Sequence, residues 1–87
     1  MLLPMAKASK TLSTRELFGR NVRLVRRLKE ISQEELAGRA DIYRSHITLI
    51  EKGEINFSVD TMEKVAHALE MEVQDLLEPK IELEKLR

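Results

Sequence analysis

The sequence predicts an all-α fold of five short helices. Three observations lead there. Apolar residues recur at spacings of three and four along most of the chain, serine capping signatures stand ahead of those runs, and no stretch alternates apolar with polar residues as a half-buried strand does. No internal repeat and no low-complexity tract interrupts the pattern.

Residues 1–12 are polar and aperiodic and read as a flexible N-terminal arm. Ser13-Thr14-Arg15-Glu16 is a capping box: the serine hydroxyl can accept from an orphan backbone N–H while Glu16 reaches back to the cap. Leu17, Phe18, Val22, Val25 and Leu28 then form one apolar stripe, with Arg20, Arg23, Arg26, Arg27 and Lys29 on the remaining circumference, and this first helix is expected to end near Glu30. Ser32-Gln33-Glu34-Glu35 repeats the capping box and opens a second helix, Gln33 to about Arg39, with Leu36, Ala37 and Ala40 inward. Asp41 is the expected turn residue, since aspartate enters the left-handed region more readily than most side chains. A third helix runs from about Arg44 to Lys52 with Ile47 and Ile50 inward, and Gly53 stands where a terminating glycine belongs. After the loop Glu54-Ile55-Asn56-Phe57, Ser58 caps a fourth helix whose inward face is Val59, Met62, Val65, Ala66 and Leu69. A fifth, from about Val73 to Glu78, offers Val73, Leu76 and Leu77 and is closed by Pro79. The organisation expected is therefore an arm over 1–12, one helical domain over 13–78, and a C-terminal tail over 79–87.

Eighty-seven residues make one small domain with a single modest core. With no cysteine there is no disulfide framework and no thiolate metal site, which favours a reducing, cytoplasmic setting. No apolar run reaches the roughly 18 residues needed to cross a bilayer, and Met1-Leu2-Leu3-Pro4-Met5 is too short and interrupted for a signal peptide. Three glycines form no phosphate-cradling loop, and Tyr43, Phe18 and Phe57 are too few aromatics for a single-strand stacking platform. His46 and His67 lie on separate helices without the spacing of a metal pair, and Ser13 and Ser32 cap helices without a positioned base. The expectation is a non-enzyme with no cofactor, no metal, no membrane contact and no small-molecule ligand.

The net charge of zero conceals a polarity. Residues 1–30 carry eight Lys/Arg against two acids, a net of +6, whereas residues 53–87 carry four against nine, a net of −5. That asymmetry suits a polyanion at the basic end, or simply solubilises the domain.

The segment Gln33 to Lys52, short helix, tight turn, short helix, has helix-turn-helix proportions. Together with Ile31-Ser32-Gln33-Glu34-Glu35-Leu36-Ala37, Ile50-Glu51-Lys52-Gly53, Ser58-Val59-Asp60-Thr61-Met62 and Val65-Ala66-x-Ala68-Leu69, it resembles the lambda-repressor-like (XRE) helix-turn-helix family over about residues 17–77. The resemblance implies a five-helix, sequence-specific, double-stranded DNA-binding transcription regulator. It would bind a pseudo-palindromic operator as a homodimer through a recognition helix at about 44–52. The chain looks most like small phage-type repressors and restriction–modification controller proteins. Arg44-Ser45-His46-Ile47-Thr48 and the Asn56-Phe57-Ser58 loop lean slightly toward the controllers.

By that resemblance the base-reading positions fall on Arg44, Ser45, Leu49 and, in some members, His46. Their chemistry fits: Arg44 can bridge guanine O6 and N7, Ser45 can bond several bases, and Leu49 can touch a thymine methyl. The same likeness puts phosphate contacts on Gln33, Lys52 and Asn56, and an N-terminus as at Gln33 attracts anions in any case. Arg23 and Arg27 are phosphate candidates from charge alone. Three positions depart from the pattern: Tyr43 replaces a small capper and can instead send its hydroxyl to a phosphate, Asp41 stands where glycine is common, and Leu49 replaces an often polar residue. Leu76, Leu77, Ile81, Leu83 and Leu86 offer apolar area for a dimer interface. Other readings stay open: an antitoxin whose arm or tail clasps a toxin, a protein-interaction module that does not touch DNA, and the DNA-anchoring piece of an enzyme.

Overall fold

The computed structural model describes residues 12–81, and among them the chain forms four α-helices and a final 3₁₀ turn, with no strand. The helices are α1 (Thr14–Leu28), α2 (Gln33–Ala40), α3 (Arg44–Lys52) and α4 (Val59–Ala68), followed by the 3₁₀ helix Val73–Leu77. The fifth α-helix expected from the sequence is thus a single 3₁₀ stretch. Five residues ending just before Glu78 and Pro79 close too few i→i−4 bonds for an α-helix to outlast its unpaired ends.

Local chemistry sets each boundary. The Ser13 box is reciprocal: its hydroxyl accepts from the Glu16 N–H at 3.2 Å, and its own N–H donates to the Glu16 carboxylate at 2.9 Å. That contact, led by the Ser13 backbone N–H, holds the Glu16 carboxyl below its ordinary value. At Ser32 only half of the box forms, the hydroxyl accepting from Glu35 N–H at 2.9 Å while the Glu35 carboxylate turns to Arg39 at 2.7 Å. Asp41 (φ 60°) and Gly53 (φ 71°) both terminate helices in the left-handed region. Helix α1 stops at Leu28, two residues before the expected end, because Glu30 also takes a left-handed φ of 58° and turns the chain.

The core draws on every element: Phe18, Val22 and Val25 from α1, Leu36, Ala37 and Ala40 from α2, Ile47 and Ile50 from α3, Val65 and Ala66 from α4, and Ile31, Leu69 and Leu76 from the connections and the 3₁₀ turn. The Phe18 and Phe57 rings meet at 5.3 Å. Helix α1 lies directly on α3 because residue 19 is glycine, where an added Cβ would sit 2.0 Å from the Ile50 carbonyl oxygen. Leu28, placed on the inward stripe by periodicity, is 47% exposed at the C-terminal end of α1.

At the other end of the domain, buried Asn21 donates from Nδ2 to the carbonyls of Leu76 (2.9 Å) and Glu78 (2.8 Å), and Arg20 donates to that of Pro79 (2.6 Å). Ile81 is partly buried against the core. Of the proposed dimer residues, Leu76 is fully buried within its own domain and corrects the expectation that it offers interface area, since its side chain already fills the space under α1. Leu77 and Ile81 are half-buried, and Leu83 and Leu86 lie outside the described residues.

Candidate nucleic-acid interface

Helices α2 and α3 are joined by Asp41-Ile42-Tyr43. The Asp41 N–H closes on Gly38 at 3.3 Å and the Ile42 N–H on the Ala37 carbonyl at 3.1 Å, which satisfies the end of α2 within the turn. Ile47, Ile50 and Glu51 face inward from α3, and Arg44, Ser45 and Lys52 are exposed, while His46, Thr48 and Leu49 are half-buried. Tyr43 occupies the N-cap of α3 at 82% exposure and makes no side-chain cap. The α3 N-terminus thus keeps unpaired backbone N–H groups, which favour an anion nearby.

An open cleft of about 590 Å³ lies beside this edge, lined by Arg23, Arg26, Arg27, Ser32, Gln33, Glu34 and Arg44. Four of the residues picked out from the sequence, Arg23, Arg27, Gln33 and Arg44, therefore converge from three different helices. The start of α2 opens into the same cleft, so guanidinium charge and helix-terminal N–H groups act on one volume. Asn56 does not join it. Its side-chain oxygen accepts from Arg15 at the start of α1, and it lines a separate cleft with Ser13, Thr14, Phe57 and Met62.

Beneath the basic cleft is a polar network that the sequence reading missed. Arg26 grips Glu51 with two bonds, Nε to Oε2 at 2.6 Å and Nη2 to Oε1 at 3.0 Å, and its Nη1 donates to the Ile31 carbonyl at 2.9 Å. Gln33 Nε2 donates to Glu51 Oε1 at 3.1 Å, Gln33 Oε1 accepts from the Thr48 hydroxyl at 3.2 Å, and Arg23 reaches Glu51 at 3.5 Å. Burial alone would raise the Glu51 carboxyl. Hydrogen bonds from Arg26 and Gln33, the Arg26 charge and the Arg23 contact outweigh it and hold the group below its ordinary value. No buried side-chain nitrogen or oxygen among the described residues lacks a partner. The network ties α1, α2 and α3 together directly under the exposed edge of α3, and it holds the Gln33 side chain at the cleft floor. Its signal was in the register: Arg26 follows Val22 by four and Glu51 follows Ile47 by four, opposite charges at core positions of two crossing helices.

The chain is similar to known proteins over most of its described length. A family described as helix-turn-helix matches residues 22–76. Control protein C.BamHI of Bacillus amyloliquefaciens is 44% identical over 69 residues, covering 78% of this chain and 85% of that protein. The chain belongs to the helix-turn-helix family. Among solved structures, the restriction-modification controller protein C.AhdI from Aeromonas hydrophila is 35% identical with a TM-score of 0.69, covering 71% of this chain and 94% of its own. The hypothetical transcription factor NHTF from Neisseria is also 35% identical, with a TM-score of 0.75 over 86% of each chain. The XRE-like resemblance read from residues 17–77 is therefore correct, and the chain is a DNA-binding helix-turn-helix transcription regulator whose relatives are named as regulators. No helix among the described residues is long and apolar enough to cross a membrane.

Proposed function

We propose that this chain is a cytoplasmic controller of a restriction–modification operon that binds a pseudo-palindromic duplex as a homodimer. Helix α3 enters the major groove. Arg44, Ser45, His46 and Leu49 meet base edges, while Gln33, Tyr43, Lys52, Asn56, Arg23 and Arg27 meet phosphates. One observation carries the reading above the others: Arg44 stands exposed at the first turn of α3 and also lines the basic cleft with Arg23, Arg27 and the start of α2. A duplex backbone seated in that cleft brings the Arg44 guanidinium to the groove edge. The similarity to control protein C.BamHI and to C.AhdI supports the controller role. Leu77 and Ile81, partly exposed beside α1, supply apolar area for the second copy, and a two-fold dimer would space its half-sites about 34 Å apart.

Selection of bound sites from random duplexes tests this. The expected outcome is a palindromic consensus with two half-sites about one helical turn apart. On the selected duplex, Arg44→Ala should lose about 1–3 kcal/mol of discrimination while weak, salt-sensitive binding to unrelated duplex survives. Recovery of no consensus, or equal binding of selected and random duplexes, overturns the proposal.

A further inference from the structure

The Thr48 hydroxyl has one proton and two acceptors within reach, the Gln33 side-chain oxygen and the Arg44 backbone carbonyl, each at 3.2 Å. The far end of the network decides between them. An ionised carboxylate only accepts, and Glu51 is kept ionised by the two-pronged grip of Arg26 at 2.6 and 3.0 Å. The atom of Gln33 that faces Glu51 at 3.1 Å is therefore its amide nitrogen, which turns the amide oxygen toward Thr48. That oxygen needs a donor, and among the described residues the Thr48 hydroxyl is the one that reaches it. The Arg44 carbonyl keeps the backbone N–H that its helical position provides.

We propose that Thr48 is a positioning residue for duplex binding: its hydroxyl proton locks the Gln33 amide so that the second Nε2 hydrogen, left over by Glu51, is offered to a phosphate in the cleft. The inference rests on the reading of that cleft as the duplex-backbone site and adds a residue to which neither charge nor resemblance gave a role. Proton order runs one way, from Thr48 to Gln33 to Glu51, with Arg26 closing the far end. Through it the helix that faces the bases and the helix start that faces the backbone are set relative to each other by side-chain bonds as well as by core packing. A threonine is suited to this place, because its methyl can pack while its hydroxyl, half-buried, is held to one partner.

The test uses Thr48→Val, which keeps the branched shape and removes the hydroxyl, and Thr48→Ser, which keeps the hydroxyl. On the selected duplex Thr48→Val should weaken binding by about three- to ten-fold, the worth of one lost hydrogen bond. Thr48→Ser should restore most of the loss. In a Gln33→Ala background Thr48→Val should cause no additional loss, because the group it orients is gone. In the free protein, the Gln33 side-chain amide resonances should move toward those of a solvated amide in Thr48→Val and stay in place in Thr48→Ser. Wild-type affinity in Thr48→Val overturns the inference. So does an equal loss in the Gln33→Ala background, or Gln33 resonances that ignore the hydroxyl. Should no duplex be preferred by the wild-type chain, the functional reading falls, and the amide resonances still decide whether Thr48 sets Gln33.

Discussion

Helix α1 grips the rest of the chain along two flanks with different chemistry on each. Toward α2 and α3 it uses charge: Arg26 and Arg23 converge on Glu51, and the Arg26 and Glu51 side chains are 11% and 0% exposed. Toward the C-terminal segment it donates to neutral main-chain carbonyls instead of a carboxylate, with Asn21 bridging the Leu76 and Glu78 carbonyls and Arg20 reaching that of Pro79. Both flanks satisfy buried polar atoms, so both fix geometry as well as adding stability. The charged flank lies under the surface proposed to meet DNA, where a bound duplex would require three helices to keep their relative placement. The amide flank merely closes the domain. The contrast suggests that the ionic network persists here for positioning, since a buried ion pair often gains little over apolar packing of the same volume.

Removing one partner from each flank should separate them, with the largest effect on the charged side. Glu51→Ala leaves the Arg26 guanidinium buried without its counter-charge and should cost about 3–5 kcal/mol, read by denaturant titration. Acid provides the same break more gently. The folded-state value of the Glu51 carboxyl lies below its unfolded one, so the unfolded chain binds more protons between the two. The stabilisation is complete above the ordinary carboxylate value of the unfolded chain and is lost as pH falls through the lowered folded value. Glu16 has the same sign but lies at the surface, so Glu51 should dominate the acid limb. Glu51→Gln, if it folds, should flatten that limb. A stability curve with the same acid slope in wild type and Glu51→Gln would show that the network does not set it.

On the amide flank, Asn21→Ala strands two carbonyls and should cost about 1–3 kcal/mol. The loss should be the same at pH 4 and pH 7, because no titrating group takes part in those bonds. Duplex affinity measured well below the melting temperature should stay close to wild type. A variant that folds but loses operator preference would show that the C-terminal segment also shapes the DNA face, for instance through the dimer.

Much of the fold was legible because its boundaries are written in local chemistry. Ser13, Ser32 and Ser58 cap, Asp41 and Gly53 terminate, and α3 runs from Arg44 to Lys52 as its stripe predicts. Reading failed where a residue's role depends on a partner distant in sequence. Arg26 looked like one more solvated base, and only the crossing of α1 over α3, allowed by Gly19, brings Glu51 to it. Leu76 looked like a free apolar side chain because the sequence does not reveal that Asn21 draws its segment under α1. Gln33 was chosen for its place at a helix start, which the structure keeps, but its bonds to Glu51 and Thr48 come from two turns of another helix.

The smallest effect isolates burial as the cause of the largest. Arg39 and Glu35 pair across one turn of α2 at 2.7 Å, nearly the 2.6 Å separation of Arg26 and Glu51, but their side chains are 45% and 50% exposed. Distance gives the two pairs the same bare attraction. Water screens the first pair and rehydrates whatever is left when it is cut, whereas the second leaves a guanidinium in the core. Arg39→Ala should therefore change stability by about 0.3–0.5 kcal/mol at most, a loss that alanine's helix preference offsets in part, and added salt should shrink it further. An Arg39→Ala cost comparable with that of Glu51→Ala would mean that contact distance rather than desolvation governs these pairs, and the distinction drawn between the flanks of α1 would lose its physical basis.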